Sequence, residues 1–107
     1  MKLFQIMQRN ALGIAGAAQV AFTENESAHA YILECISRFY SHDYGTIPPE
    51  DVAANEKELQ QSAGRIIAKY EAGPGLKEPI FIIAYFSEDH PGNVDYNYTS
   101  ICYTSDY

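Results

Sequence analysis

Three histidines, His29, His42 and His90, are the side chains of this sequence most suited to general-base or metal chemistry, and their surroundings favour neither. His29 lies in a helical stretch with no second ligand four residues on. His42 precedes Asp43 in a helix-end loop, and His90 follows Glu88 and Asp89 in a turn. None of these has a metal-ligand spacing, so no metal is expected. Ser41, His42 and Asp43 carry the residue types of a hydrolytic triad, but neighbours in sequence do not converge their side chains, and working triads assemble from distant positions. The glycines form neither G-x-G-x-x-G nor a P-loop, because Gly73-Pro74-Gly75 lacks both a following helix and a lysine at the required step. The expectation is a protein without a cofactor and, for want of a converging acid, base or nucleophile, not an enzyme.

A second group of residues points to recognition. The chain has nine tyrosines in 107 residues, and 14 acidic against 7 basic side chains. From residue 78 to 107 there are five carboxylates, Glu78, Glu88, Asp89, Asp95 and Asp106, and no Lys or Arg. Tyrosine offers large contact area at small entropic cost and is enriched in interfaces. We therefore expect a partner-binding surface made by Glu88, Asp89, Asp95, Tyr96, Tyr98, Tyr103, Asp106 and Tyr107. Direct binding to nucleic acid needs the opposite charge. An acidic surface instead steers toward a basic protein, including the nucleic-acid channel of one. The alternative is a ligand-binding module that sequesters a small nucleotide signal between helix and sheet, with Arg38, Arg65 or Lys69 on a phosphate and tyrosines stacking on a base.

The elements that must position these residues centre on Pro79 to Phe86, PIFIIAYF, an unbroken β-branched and aromatic run that reads as a central strand covered on both faces. Arg65 to Glu71 alternates as a half-exposed strand. A last strand over about Tyr96 to Thr104 puts Tyr96, Tyr98, Ser100 and Cys102 on one face and Asn97, Thr99, Ile101 and Tyr103 on the other. Thr23-Glu24-Asn25-Glu26 matches a capping box, and Ala28, Tyr31, Ile32, Cys35, Ile36 and Phe39 then make the apolar stripe of a long helix, with Glu34 and Arg38 paired on its outer face. Pro48 and Pro49 open a shorter, mostly solvated helix running to about Gln61. Residues 2–8 and Gln19 to Thr23 read as the strands of an N-terminal hairpin. The expected fold is α+β: an antiparallel sheet of that hairpin and a C-terminal three-stranded meander, with one long and one short helix packed on it.

At 107 residues the chain is expected to form one domain, residues 1–107. Cys35 and Cys102 fall on apolar faces far apart in sequence and read as free buried thiols. No signal peptide pattern or spanning run is apparent, and a cytoplasmic protein with no membrane partner is expected. An edge strand at the C-terminus could pair across a two-fold axis into a homodimer.

VAFTENESAHAYILECISRFYSHDYG, PEDVAANEKEL, GRIIAKYE with PIFIIAYF, and the ending SICYTSDY together resemble a group of small plasmid and prophage accessory proteins of Gram-positive gut bacteria. The resemblance spans nearly the whole chain through fold-building features and carries over no catalytic signature. It implies a mobile-element protein in a bacterial host cell, and short acidic proteins of that kind include inhibitors of host defence, anti-CRISPR and anti-restriction proteins among them. On that basis the expected partner is a basic protein such as a CRISPR effector nuclease.

Overall fold

The structure, a computed structural model, describes residues 11–107. Its elements are β1 (Ala11–Ile14), α1 (Gly16–Glu24), α2 (Glu26–Tyr40), α3 (Pro49–Gln61), β2 (Arg65–Tyr70), β3 (Ile80–Tyr85) and β4 (Tyr98–Tyr103). Short 3-10 turns at Val94–Tyr96 and Thr104–Asp106 flank β4. The fold is α+β, with three helices and a four-stranded sheet among the described residues, in the order β1-β4-β3-β2.

The meander forms as its sequence dictates. β2 and β3 pair antiparallel from Arg65 opposite Tyr85 to Tyr70 opposite Ile80, and β3 pairs with β4 from Ile80 opposite Tyr103 to Tyr85 opposite Tyr98. Alternation then puts Ile66, Ala68, Tyr70, Ile80, Ile82, Ala84, Ile101 and Tyr103 on one buried face. The α2 stripe of Ala28, Ile32, Cys35 and Phe39 joins them in one core. Each fully buried isoleucine there contributes about 1.5–3 kcal/mol.

The N-terminal part differs from the expected hairpin. Residues 2–8 lie outside the described residues. Gln19 to Thr23 is helical, not extended: Val20 and Phe22 imitate a period of two, but Ala17 and Ala18 favour helix, and Ala18, Ala21 and Phe22 turn toward the core at i, i+3 and i+4. The added strand is Ala11–Ile14, which pairs parallel to β4 with Ala11 opposite Tyr98 and Ile14 opposite Ile101. The sheet is therefore mixed and not purely antiparallel. β4 consequently has strands on both sides, so the C-terminal strand offers no free edge for the expected homodimer.

Two helix termini also differ. Thr23 donates its hydroxyl to the carbonyls of Gln19 and Val20 inside α1, and the cap of α2 is Asn25, whose side chain accepts from the Ala28 N–H at 3.1 Å. At the other end, Arg38 leaves Glu34 for Asp43, donating from Nε to Oδ2 at 2.8 Å, and its guanidinium stands 4.9 Å from the centre of the Tyr70 ring.

The bond from Arg38, helped by the Gly45 N–H, holds the Asp43 carboxyl below the usual carboxylate range. A depressed folded value stabilises the fold above the unfolded carboxyl pKa, and that contribution is lost as the pH falls through the folded one. Asp43→Asn should therefore flatten the acid limb of a plot of urea midpoint against pH below about 4. An unchanged limb would show that this pair has no part in acid unfolding.

At the far side of the sheet β2 is an edge, and the outward backbone groups of its Ile67 and Lys69 are occupied. The Asn55 amide donates to the Ile67 carbonyl at 2.7 Å and accepts from the Ile67 N–H at 3.1 Å. Lys69 bonds in the same manner to the loop after α2, its N–H to Tyr44 O at 3.1 Å and its carbonyl to Thr46 N at 2.8 Å. Gly45 has φ +76°, and a Cβ there would collide with the Lys69 carbonyl, so this close approach requires glycine.

Candidate functional site

The register that builds the sheet also aligns a row of side chains across one end of it. Arg65 on β2 pairs with Tyr85 on β3, which pairs with Tyr98 on β4, all on the face away from the α2 stripe. The Tyr85 and Tyr98 rings stack, with centroids 4.7 Å apart and planes at 20°. Around this pair lies a groove of about 580 Å³, lined also by Glu58 and Gly64 behind α3, by Ser87, Glu88 and Asp89, and by Tyr96.

The loop from β3 to β4 is held in place by its own polar groups. Phe86 N–H donates to Gly64 O at 3.0 Å, and Ser87 N–H donates to the side-chain oxygen of the buried Asn97 at 2.9 Å, which ties the two ends of the loop together. Within it, Ser87 Oγ accepts from His90 N–H, and Asn93 Oδ1 accepts from Asp95 N–H, each at 3.1 Å. His90 then lies flat on Tyr96, ring centroids 3.7 Å apart and planes at 6°. Tyr96 and Tyr98 remain 53% and 49% exposed, so the groove is edged by phenols that water reaches.

Three carboxylates, Glu58, Glu88 and Asp89, line the groove with one cation, Arg65. Glu58 is half-buried, and its carboxylate packs against Gly64, occupying the space a Cβ would take. Arg65 carries its guanidinium over the Tyr107 ring, 5.5 Å from its centre. Burial, followed by the neighbouring Tyr98, pushes the Tyr85 hydroxyl pKa up.

Of the eight residues expected to bind a partner, Glu88, Asp89, Tyr96 and Tyr98 line this groove. Asp95 is exposed in the 3-10 turn beside it. Tyr103 is not available: its parity turns it into the core, where it is 2% exposed, with Lys77 Nζ 5.2 Å from the ring centre. Asp106 and Tyr107 follow the opposite end of β4. The Asp106 carboxylate lies against Gly16 at the start of α1, and Tyr107 packs on Phe81 with ring centroids 5.1 Å apart. The expected surface is therefore divided, and Glu58 and Tyr85 were missed because helix ending and strand register, not sequence proximity, bring them in.

The residues of the nucleotide alternative do not converge. Arg38 is engaged by Asp43 and lies over Tyr70, whose side chain belongs to the helix-covered face, while Arg65 and Lys69 project from the opposite face of β2. Arg38 and Arg65 thus belong to opposite faces of the sheet, and the three carboxylates beside Arg65 oppose a phosphate there.

Among the described residues no group of three or more His, Cys, Asp or Glu side chains gathers as a metal site requires, and no helix is long and apolar enough to cross a membrane. His29 donates from Nδ1 to Phe22 O, 3.2 Å away, and His42 lies 3.4 Å from Glu56 Oε1. Both cysteines are buried and free. Comparison with protein-family models, with curated proteins and with solved structures finds no match to this chain.

Proposed function

We propose that this protein is a noncatalytic inhibitor of a host defence system, carried by a mobile element, which binds a basic surface of an effector nuclease of the CRISPR type. One observation carries the reading: three tyrosines and three carboxylates surround a single groove that contains one arginine. Aromatic rings supply affinity and carboxylates supply steering and register, the combination that suits a groove built to hold a nucleic-acid backbone. Occupying that groove would exclude the nucleic acid without any chemical step. The choice of a defence nuclease as target follows the resemblance to mobile-element accessory proteins, and a cytoplasmic site of action goes with it.

The experiment is a pull-down and DNA-cleavage assay of the full chain against CRISPR effector nucleases. The unmodified protein is expected to bind one and suppress its cleavage. Tyr96→Ala, Tyr98→Ala and Asp95→Lys, combined, should reduce both by at least about tenfold, the loss of roughly 1.4 kcal/mol or more. Inhibition untouched by the triple variant would show that another surface acts. Failure to inhibit any such nuclease would remove the reading.

A further inference from the structure

We infer that the occupant of this groove is an arginine side chain presented by an extended basic segment of the partner, an assignment that rests on the inhibitor reading and gives it its chemistry. The Tyr85 and Tyr98 rings stack face on face, brought opposite each other by the backbone register of β3 with β4, and the half-exposed Tyr98 leaves aromatic surface open at the groove. A guanidinium is planar, weakly hydrated and delocalised, so it stacks on such a surface while its edge N–H groups stay free to donate. Carboxylates of Glu58, Glu88 and Asp89 stand around the same cavity, which meets the second requirement, acceptors for those donors.

The protein's own cations also sit on its phenols. Arg38 lies 4.9 Å from the ring centre of Tyr70, Arg65 5.5 Å from that of Tyr107, and Lys77 5.2 Å from that of Tyr103. Three of the five Lys and Arg side chains among the described residues thus stand over phenols. Arg65 is the instructive one. It is the cross-strand neighbour of Tyr85, yet its guanidinium lies over Tyr107, beyond the groove's set of tyrosines. A nucleotide or free phosphate would meet three carboxylates for one guanidinium. A lysine would gain the charge but forgo planar stacking and bidentate pairing.

The test is fluorescence anisotropy of the full chain with a labelled octapeptide of alternating Gly and Arg, beside its Gly-Lys counterpart and with AMP as competitor. The Arg peptide should bind about tenfold more tightly than the Lys peptide. Tyr98→Phe should retain binding, since the ring is kept, whereas Tyr98→Ala and Glu88→Gln/Asp89→Asn should each weaken it several-fold. Thermal melts that match the unmodified protein would assign those losses to the groove. Equal affinity for the two peptides would reduce the site to plain charge attraction and overturn the assignment, as would competition by AMP or tight binding to Tyr98→Ala. The two readings fail separately. Arg-selective binding without inhibition of any nuclease overturns the inhibitor and leaves the arginine slot. Inhibition that survives Tyr98→Ala, in a protein that binds neither peptide, overturns the slot and leaves the inhibitor.

Discussion

Asn55→Ala should destabilise the protein by about 2–4 kcal/mol, since it strips partners from both the N–H and the carbonyl of Ile67 and each orphaned backbone group costs about 1–3 kcal/mol. Against a total stability of about 5–15 kcal/mol that is a large share. The amide is 2% exposed and acts as a one-residue strand, pairing with β2 where a fifth strand would otherwise lie. Its loss opens an edge flanked by Ile66, Ile67 and Ala68, so the variant should also associate with itself as concentration rises. Asn55→Asp separates the two roles. A carboxylate still accepts from Ile67 N–H but faces the Ile67 carbonyl with no donor, and it should be no more stable than the alanine variant. Urea titration and size-exclusion chromatography read both effects. A variant that keeps its midpoint and stays monodisperse would mean the edge is protected by residues 44–46 alone.

Asn97→Ala should cost about 1–3 kcal/mol and, beyond that, loosen the groove. The Asn97 side chain holds Ser87 N–H across the base of the loop, while its own N–H donates to Val94 O at 3.2 Å, and the Tyr96–His90 stack sits on the structure so formed. Amide hydrogen exchange over residues 87–97 should accelerate in the variant while β2 and β3 stay protected. Partner binding should weaken with it, because Tyr96, Glu88 and Asp89 would no longer be held in one arrangement. Unaltered exchange in that segment would show the loop to be ordered by other contacts.

These two asparagines also mark what could be read from the chain and what could not. Long apolar runs announce themselves: Ile80 to Tyr85 and the α2 stripe are visible because burial repeats at the period of the element. A single polar side chain that completes a sheet edge has no period, and Asn55 looked like one more residue of a solvated helix. β1 was hidden for a related reason. Ala11-Leu12-Gly13-Ile14 is short and contains a glycine, so nothing in it competes with a loop, and its strand character comes from β4 alongside. Val20 and Phe22 misled in the opposite sense, two β-formers in a window too short to tell a period of two from 3.6.

The candidate site divides along the same line. Glu88, Asp89, Tyr96 and Tyr98 were legible because one loop and the start of one strand carry them. Glu58 arrives from the end of α3 through the reversal at Ser62 and Gly64, both with positive φ, and Tyr85 comes from the next strand across. Tyr103 shows the cost of weighing composition above parity: it lies five residues from Tyr98 on the same strand, and an odd separation sends it to the opposite face.

The most direct measurement is the affinity of the full chain for a CRISPR effector nuclease as a function of salt, for the protein, for Tyr98→Ala/Glu88→Lys/Asp89→Lys, and for Glu34→Lys/Glu71→Lys, which makes the same charge change on exposed positions away from the groove. The account predicts binding that weakens with rising salt, falls by at least about a hundredfold in the groove variant, and stays within about threefold in the control. Equal losses in both variants, or none in either, would contradict it.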